Sequence, residues 1–394
     1  MAREGQRFQP CHQPAKLTQG ARCPTRRRII VQRSRHMKKS RKLQAEPHPK
    51  TTRQSPFRKK KTSKRKSIPS LLFSPDNMPQ IGREFCFLCG RGLPAQRHTD
   101  EHVIPRWIQQ RYDLWNLRLT LLNRTTIPYR QLTIPCCATC NNEHLGRIEA
   151  QVQAACDEGR EAVLQLPTLT LFLWAGKIFY GLLYREHLLS WSRREPDRGP
   201  IVPAEVLKRY RLHHQFLQAA RITFEFNPHV PASIFVYDTL EPTERQMQFD
   251  YWDNIPGMGL SIRVGKVGII VCVQDGGAVK YSFEKVYERI GKLKLHWAQF
   301  AEVTARTFYD LSRFNRVPKF LLVEGKDKVH VVMNPLGGLS GKPLFENWNM
   351  QDYAKALAFY FRCSEEQIHP EPHKVVSWLF RAGRLRRMRP DDPA

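Results

Sequence analysis

The sequence predicts an α+β protein in three parts: a disordered basic tail over residues 1–77, a small cysteine-stapled module over 78–160, and a larger mixed α+β domain over 161–394. Three features lead to this division. Positive charge is concentrated at the N-terminus, two Cys-x-x-Cys pairs bracket a short central segment, and helical and alternating apolar patterns share everything beyond it.

The first 77 residues hold 22 Lys/Arg against 3 Asp/Glu, while the rest holds 42 against 33. Most of the net charge of +28 therefore sits in the tail. Rich in Arg, Lys, Pro, Ser and Gln, with almost no apolar periodicity, the tail cannot bury enough surface to offset its ordering entropy. Its run at 58–66 (RKKKTSKRK) has the character of a nuclear-import or nucleic-acid patch. A polyanionic partner, nucleic acid, is the natural reading, and a solvated tail without a specific partner is the alternative. Met78, just ahead of the first cysteine pair, is an alternative start.

No N-terminal stretch has the apolar core of a secretory signal, and ten cysteines without a disulfide framework suit a reducing compartment. A cytoplasmic protein of bacterial or phage type is expected, with a nuclear location if the source is eukaryotic. No membrane association is expected. The most apolar run, LTLFLWAGKIFYGLLY at 169–184, is shorter than the ~20 residues a bilayer needs and contains Lys177, so it reads as a buried helix.

Within the module, residues 86–92 (CFLCGRG) form a knuckle, with Gly90 and Gly92 permitting a tight turn. A strand-like stretch at 117–122 follows, then a second knuckle at 135–140 (PCCATC) running into a helix marked by Leu145, Ile148 and Val152. Further helices are predicted at 169–191, 204–220, 290–314, 351–362 and near 374–381. Strands are predicted at 222–226, 234–237, 260–264, 267–273, 320–323 and 329–333.

Cys86, Cys89, Cys137 and Cys140, with 47 residues between the inner pair, have the spacing of a closed tetrahedral zinc site. Cys136 could replace Cys137, but the two-residue gap to Cys140 favours Cys137. All-thiolate ligation leaves no open position, so this zinc would hold the fold and take no part in chemistry.

The order Cys-x-x-Cys, EHVIPRW at 101–107, then Cys-x-x-Cys-Asn resembles the HNH, or ββα-metal, endonucleases over about 65 residues. The resemblance implies a phosphodiester hydrolase acting on DNA more readily than RNA. His102 matches the general base, and an imidazole suits that role at neutral pH. Glu101 and Asn141 match the two ligands of a catalytic divalent metal, Mg²⁺ or Mn²⁺ by the hardness of their oxygens. Asn123, in preference to Asn116, matches the asparagine that braces the loop carrying the base. His144 is a further candidate ligand or phosphate contact. The chain departs from the family pattern at two positions: Glu replaces the commoner Asp before the base, and Asn replaces His at the last position.

Plainer readings exist for the same residues. Glu186-His187 shows that the dipeptide also occurs on an ordinary helix. Trp107, Tyr112 and Trp115 are explained by packing as readily as by base stacking. A module that kept its zinc and lost catalysis would be a nucleic-acid-binding scaffold or regulator, and an RNA-directed nuclease toxin is the third alternative.

Overall fold

The computed structural model describes residues 28–29, 70–73, 81–94, 98–192, 194–316, 318–336, 341–371, 374–390 and 392. The expected tail falls almost wholly outside them. Where it is described, it is bound to the fold. β1 (Arg28–Ile29) lies parallel to a strand of the main sheet. In the apolar run at 70–73, Leu72 is buried, the Ser70 hydroxyl and Leu71 N–H reach the Glu324 carboxylate, and Phe73 exchanges two hydrogen bonds with Gln218. These apolar residues, inside the expected tail, find partners on the fold.

At the first knuckle Gly90 turns the chain with φ 68° and its N–H returns to the Cys86 carbonyl. A side chain there would also strike the Phe73 ring, so glycine is required twice over. β2 (His98–His102) pairs antiparallel with β5 (Thr133–Cys137), Thr99 opposite Cys136 and His102 opposite Thr133. Between them lie α1 (Arg106–Arg111) and the hairpin β3 (Arg118–Thr120) and β4 (Thr126–Pro128). After β5 a π-helical turn, Thr139–Leu145, runs into α2 (Gly146–Glu158), which buries Ile148 and Val152 as their spacing predicts.

α3 (Arg160–Gln165) leads to α4 (Thr168–His187), where every residue from Leu171 to Tyr184 is buried. It stops short of the expected 191 because the chain turns back after Leu188, Trp191 N–H pairing with the Gly199 carbonyl. No helix among the described residues is long and apolar enough to cross a membrane. The helix expected at 204–220 is two, α5 (Ala204–Arg209) and α6 (Arg211–Leu217). They break at Tyr210, which leaves helical geometry and donates its hydroxyl to the Ile255 carbonyl.

Most of the remaining strands form two sheets. β6 (Thr223–Asn227) joins β12 (Phe320–Glu324) and β13 (Lys328–Met333) in the order β12–β13–β6. β7 (Ser233–Thr239), β8 (Phe249–Asn254), β9 (Gly259–Val264), β10 (Val267–Cys272) and β11 (Lys294–Leu295) complete a six-stranded sheet ordered β1–β8–β9–β10–β7–β11. Every residue of β9 and β10 is buried, so this sheet is covered on both faces. The sequence does not announce β8, because Asp250, Asp253 and Asn254 weaken its strand signal.

Behind the sheet stand α7 (Ala278–Ile290), α8 (Trp297–Ser312) and α9 (Met350–Phe361), with the short α10 (Glu365–Ile368) beyond. The helix expected at 290–314 forms as α8 but starts later, at Trp297, because α7 ends at Gly291 and β11 intervenes. α8 then starts at a capping box, in which Gln299 Oε1 accepts from the His296 N–H and His296 Nδ1 accepts from the Ala298 N–H. No helix forms at 374–381 either. The buried Glu302 carboxylate draws the N–H groups of Trp378 and Leu379, and β14 (Phe380–Arg381) pairs with β15 (Arg384–Leu385).

Apolar packing continues across residue 160. One core contains Val103, Ile134 and Val152 of the module, Phe172, Ile178 and Leu182 of α4, and Ile262 and Val271 of the sheet. The second core, on the far side, holds Phe235, Trp252 and Ile270 against α7–α9. A fragment of residues 78–160 carrying zinc should therefore lack stable tertiary structure, since its apolar face is the one α4 covers. A collapsed, aggregating product is expected; dispersed amide resonances from that fragment would refute this.

Candidate metal centre and the His102 site

The knuckles meet where the β2–β5 hairpin enters the π turn. The sulfurs of Cys86, Cys89, Cys137 and Cys140 all lie within 4.8 Å of one another. Cys136, the alternative ligand, sits 3.9 Å from Cys86 but outside this group. Contacts with Cys86 and Cys89, then burial, push the Cys140 thiol up, so the sulfurs cannot all ionise unaided. A divalent cation at their centre reverses that, and the soft donor set fits zinc. The first knuckle is also gripped from outside: His214 Nε2 donates to the Phe87 carbonyl at 2.6 Å, and burial holds His214 neutral, at a pKa of about 4.

His102 ends β2, half-buried, its ring 5.5 Å from that of Trp115. Gln109, wholly buried on α1, donates to the Ile104 carbonyl at 2.7 Å. The same amide nitrogen faces His102 Nδ1 at 3.4 Å, the long limit of a hydrogen bond. A donor at that position favours the tautomer whose lone pair is on Nδ1 and turns that lone pair toward Gln109. Burial first, then the positive charges of Lys177 and Arg106, lower the His102 pKa below its usual value. Glu149 and Asp100 oppose them without reversing the direction. The shift favours the neutral imidazole, the form a base needs. Arg106 lies over Trp115 with its guanidinium carbon 5.6 Å from the ring centre.

Glu101 is not where the family resemblance implies. Neighbouring strand residues point to opposite faces, and Glu101 is turned inward, 5% exposed. There it meets Lys177 of α4, itself 1% exposed. The Lys177 ammonium donates to Glu101 Oε1 and Glu149 Oε1, both at 2.6 Å, and to the carbonyls of His102 at 2.9 Å and Val103 at 3.3 Å. Burial alone would strip this lysine of its proton, but Glu101 and Glu149 more than offset that and raise its pKa. Burial likewise pushes Glu101 up to about 7 against the pull of Lys177. Removing one member of such a buried cluster typically costs about 3–5 kcal/mol.

The other expected residues are dispersed. Asn141, half-buried on the π turn, donates through Nδ2 to Thr99 Oγ1 at 3.1 Å. Asn123 does not brace the loop of the base. Its Oδ1 accepts from Thr125 and its Nδ2 donates to the Trp191 carbonyl, which makes it the cap of the β3–β4 turn. Asn116 accepts from Arg130. The bracing position is taken by Gln109, which the sequence does not single out. His144 is half-buried on the π turn and joins no cluster of ligands. Among the described residues, no group of three or more His, Cys, Asp or Glu side chains besides the four cysteines is arranged to hold an ion. The pair Glu101 and Asn141 therefore does not fit a catalytic Mg²⁺ or Mn²⁺ as it stands, because the Glu101 carboxylate is engaged by an ammonium.

Of the aromatic residues, Tyr112 is buried and stacked on Phe249, while Trp107 lies under Arg111. Packing accounts for both. The Glu186-His187 pair ends α4, with Glu186 buried and accepting from the Leu122 N–H. No protein-family model, no curated protein and no solved structure matches this chain.

Elemental analysis of the purified chain should find about one zinc per molecule. Cys137→Ser should lose it and destabilise the fold severely, since structural zinc contributes about 10–16 kcal/mol in small zinc domains. Cys136→Ser should keep its zinc. The reverse pattern would make Cys136 the ligand.

Proposed function

We propose that this chain hydrolyses phosphodiester bonds in nucleic acid, DNA more readily than RNA, with His102 as general base. The observation that carries this reading is the placement of His102. It is neutral, half-exposed and ring-oriented at the end of a strand, within a two-strand-and-helix unit pinned by the four cysteines. The resemblance of EHVIPRW and of Cys-x-x-Cys-Asn to the HNH endonucleases supports it, over the same unit. In this scheme the His102 imidazole removes a proton from water as it attacks phosphorus, the P–O bond to the leaving 3′ oxygen breaks, and that oxygen takes its proton from solvent. Arg106, over the neighbouring Trp115, offsets charge on the phosphate. Trp115 and Gln109 limit the swing of the imidazole. Zinc held by the cysteines would supply folding energy and no Lewis-acid chemistry, its coordination being closed. No step is assigned to a second metal. The tail's cations would add sequence-independent affinity through counterion release.

A second reading, a non-catalytic zinc module that binds nucleic acid, is favoured by the burial of Glu101 against Lys177. It predicts binding without cutting.

The test is cleavage of supercoiled plasmid, single-stranded DNA and structured RNA with Mg²⁺, Mn²⁺ or chelator. His102→Ala should lower the rate about 10²–10⁴-fold while zinc content and affinity stay near wild type. The active form is the neutral imidazole. Activity should therefore be complete at pH 7 and fall away with acidification through a pKa below the usual 6.5. Binding by wild type with no cleavage of any substrate would establish the second reading instead. Removing residues 1–69 should weaken DNA binding and flatten its salt dependence, by about 0.9 in log–log slope for each phosphate the tail had neutralised. An unchanged slope would exclude the tail from binding.

A further inference from the structure

Beside His102, on the inner face of β2, four oxygens from two separate elements converge. Two are carboxylate oxygens, Glu101 Oε1 from β2 and Glu149 Oε1 from α2. Two are the carbonyls of His102 and Val103, where the strand ends. Hard oxygen donors, two of them from carboxyl groups, converging on one buried point are what a divalent cation asks of a protein. The point is occupied by the Nζ of Lys177, delivered from the middle of the most apolar helix in the chain.

We infer that Lys177 is the resident cation of this seat: its tethered ammonium holds Glu101, Glu149 and the carboxyl end of β2 together, and the seat binds no divalent ion while Lys177 is present. Several features favour this over an incidental ion pair. Lysine is among the residues least often fully buried, and only matched partners make burial tolerable. Here the partners come from β2 and α2, elements that sequence separates from Lys177 by 76 and 28 residues. The ammonium also binds the backbone rather than side chains alone, so it fixes the position of the residue whose side chain points the other way, His102. Lys177 acts as a positioning residue, since it reaches no reacting atom. The inference does not depend on phosphodiester hydrolysis and is tested without measuring it.

The consequence is a latent metal site. Shortening Lys177 to alanine leaves two carboxylates and two carbonyls facing a space that a hydrated divalent ion can fill. Manganese serves as probe, because it reports by electron paramagnetic resonance and competes poorly with zinc for thiolates. The zinc-loaded full chain is titrated with Mn²⁺ in four forms: wild type, Glu149→Gln, Lys177→Ala, and Lys177→Ala with Glu149→Gln. Wild type and Glu149→Gln should bind equal amounts. Lys177→Ala should gain one Mn²⁺ per chain, with a rise in melting temperature on adding the ion, and the double variant should lose both. A wild-type Mn²⁺ site that Glu149→Gln removes would overturn the inference, since the seat would then take metal with Lys177 in place. A folded Lys177→Ala that binds no extra Mn²⁺ would overturn it too. So would a Lys177→Ala that stays unfolded at millimolar Mn²⁺, because the ion would then fail to stand in for the ammonium.

Discussion

A single ammonium, buried at the meeting point of β2, α2 and α4, sets the terms for the rest of this molecule. Desolvating Lys177 is costly, and only the combination of two carboxylates and two carbonyls makes it favourable. Each partner in turn constrains an element. Glu101 and the carbonyls of His102 and Val103 fix the end of the hairpin. Glu149 fixes the helix that leaves the second knuckle. The apolar faces that close over the cluster belong to the module and to α4 alike, which is why the core runs unbroken from Val103 to Val271.

Around that point the chemistry divides by face. On the inner side of β2, one buried ammonium is shared by two carboxylates and two carbonyls. On the outer side, His102 is left neutral and partly exposed, with Gln109 behind it and Arg106 near it. The four cysteines sit at the other end of the hairpin and keep its register. One strand thus joins a thiol cluster at its start to a candidate base at its end. The proposed hydrolysis needs both faces: the outer for the proton transfer and the inner for rigidity.

What is legible in the sequence is local. Two-residue gaps between cysteines report a turn, and the spacing of Leu145, Ile148 and Val152 reports a helix face. His102 is legible from its immediate neighbours. Glu101 is not, because a dipeptide does not say which face of a strand is buried, and its partner lies 76 residues away. On sequence alone Lys177 argues only against a membrane span, yet a charged residue inside an apolar run is itself a request for a buried counter-charge. Gln109 gives no such signal: nothing in RWIQQR distinguishes the glutamine that turns inward from the one beside it. The start of the helix expected at 290–314 is misplaced for a similar reason, since apolar periodicity runs on through a glycine and a two-residue strand that only the sheet explains. The division at residue 160 follows a recognisable motif, and the apolar packing behind that motif continues across it.

If the cysteine module and the layer behind it are one cooperative unit locked through Lys177, hydrogen exchange on the zinc-loaded full chain should show it. Amides of residues 98–104, 146–158 and 171–184 should open together, with the same denaturant dependence as the central strands 259–264 and 267–272. Exchange of 98–104 and 146–158 at a much lower free energy than α4 and the sheet is incompatible with such a unit, and would restore the module as a domain in its own right.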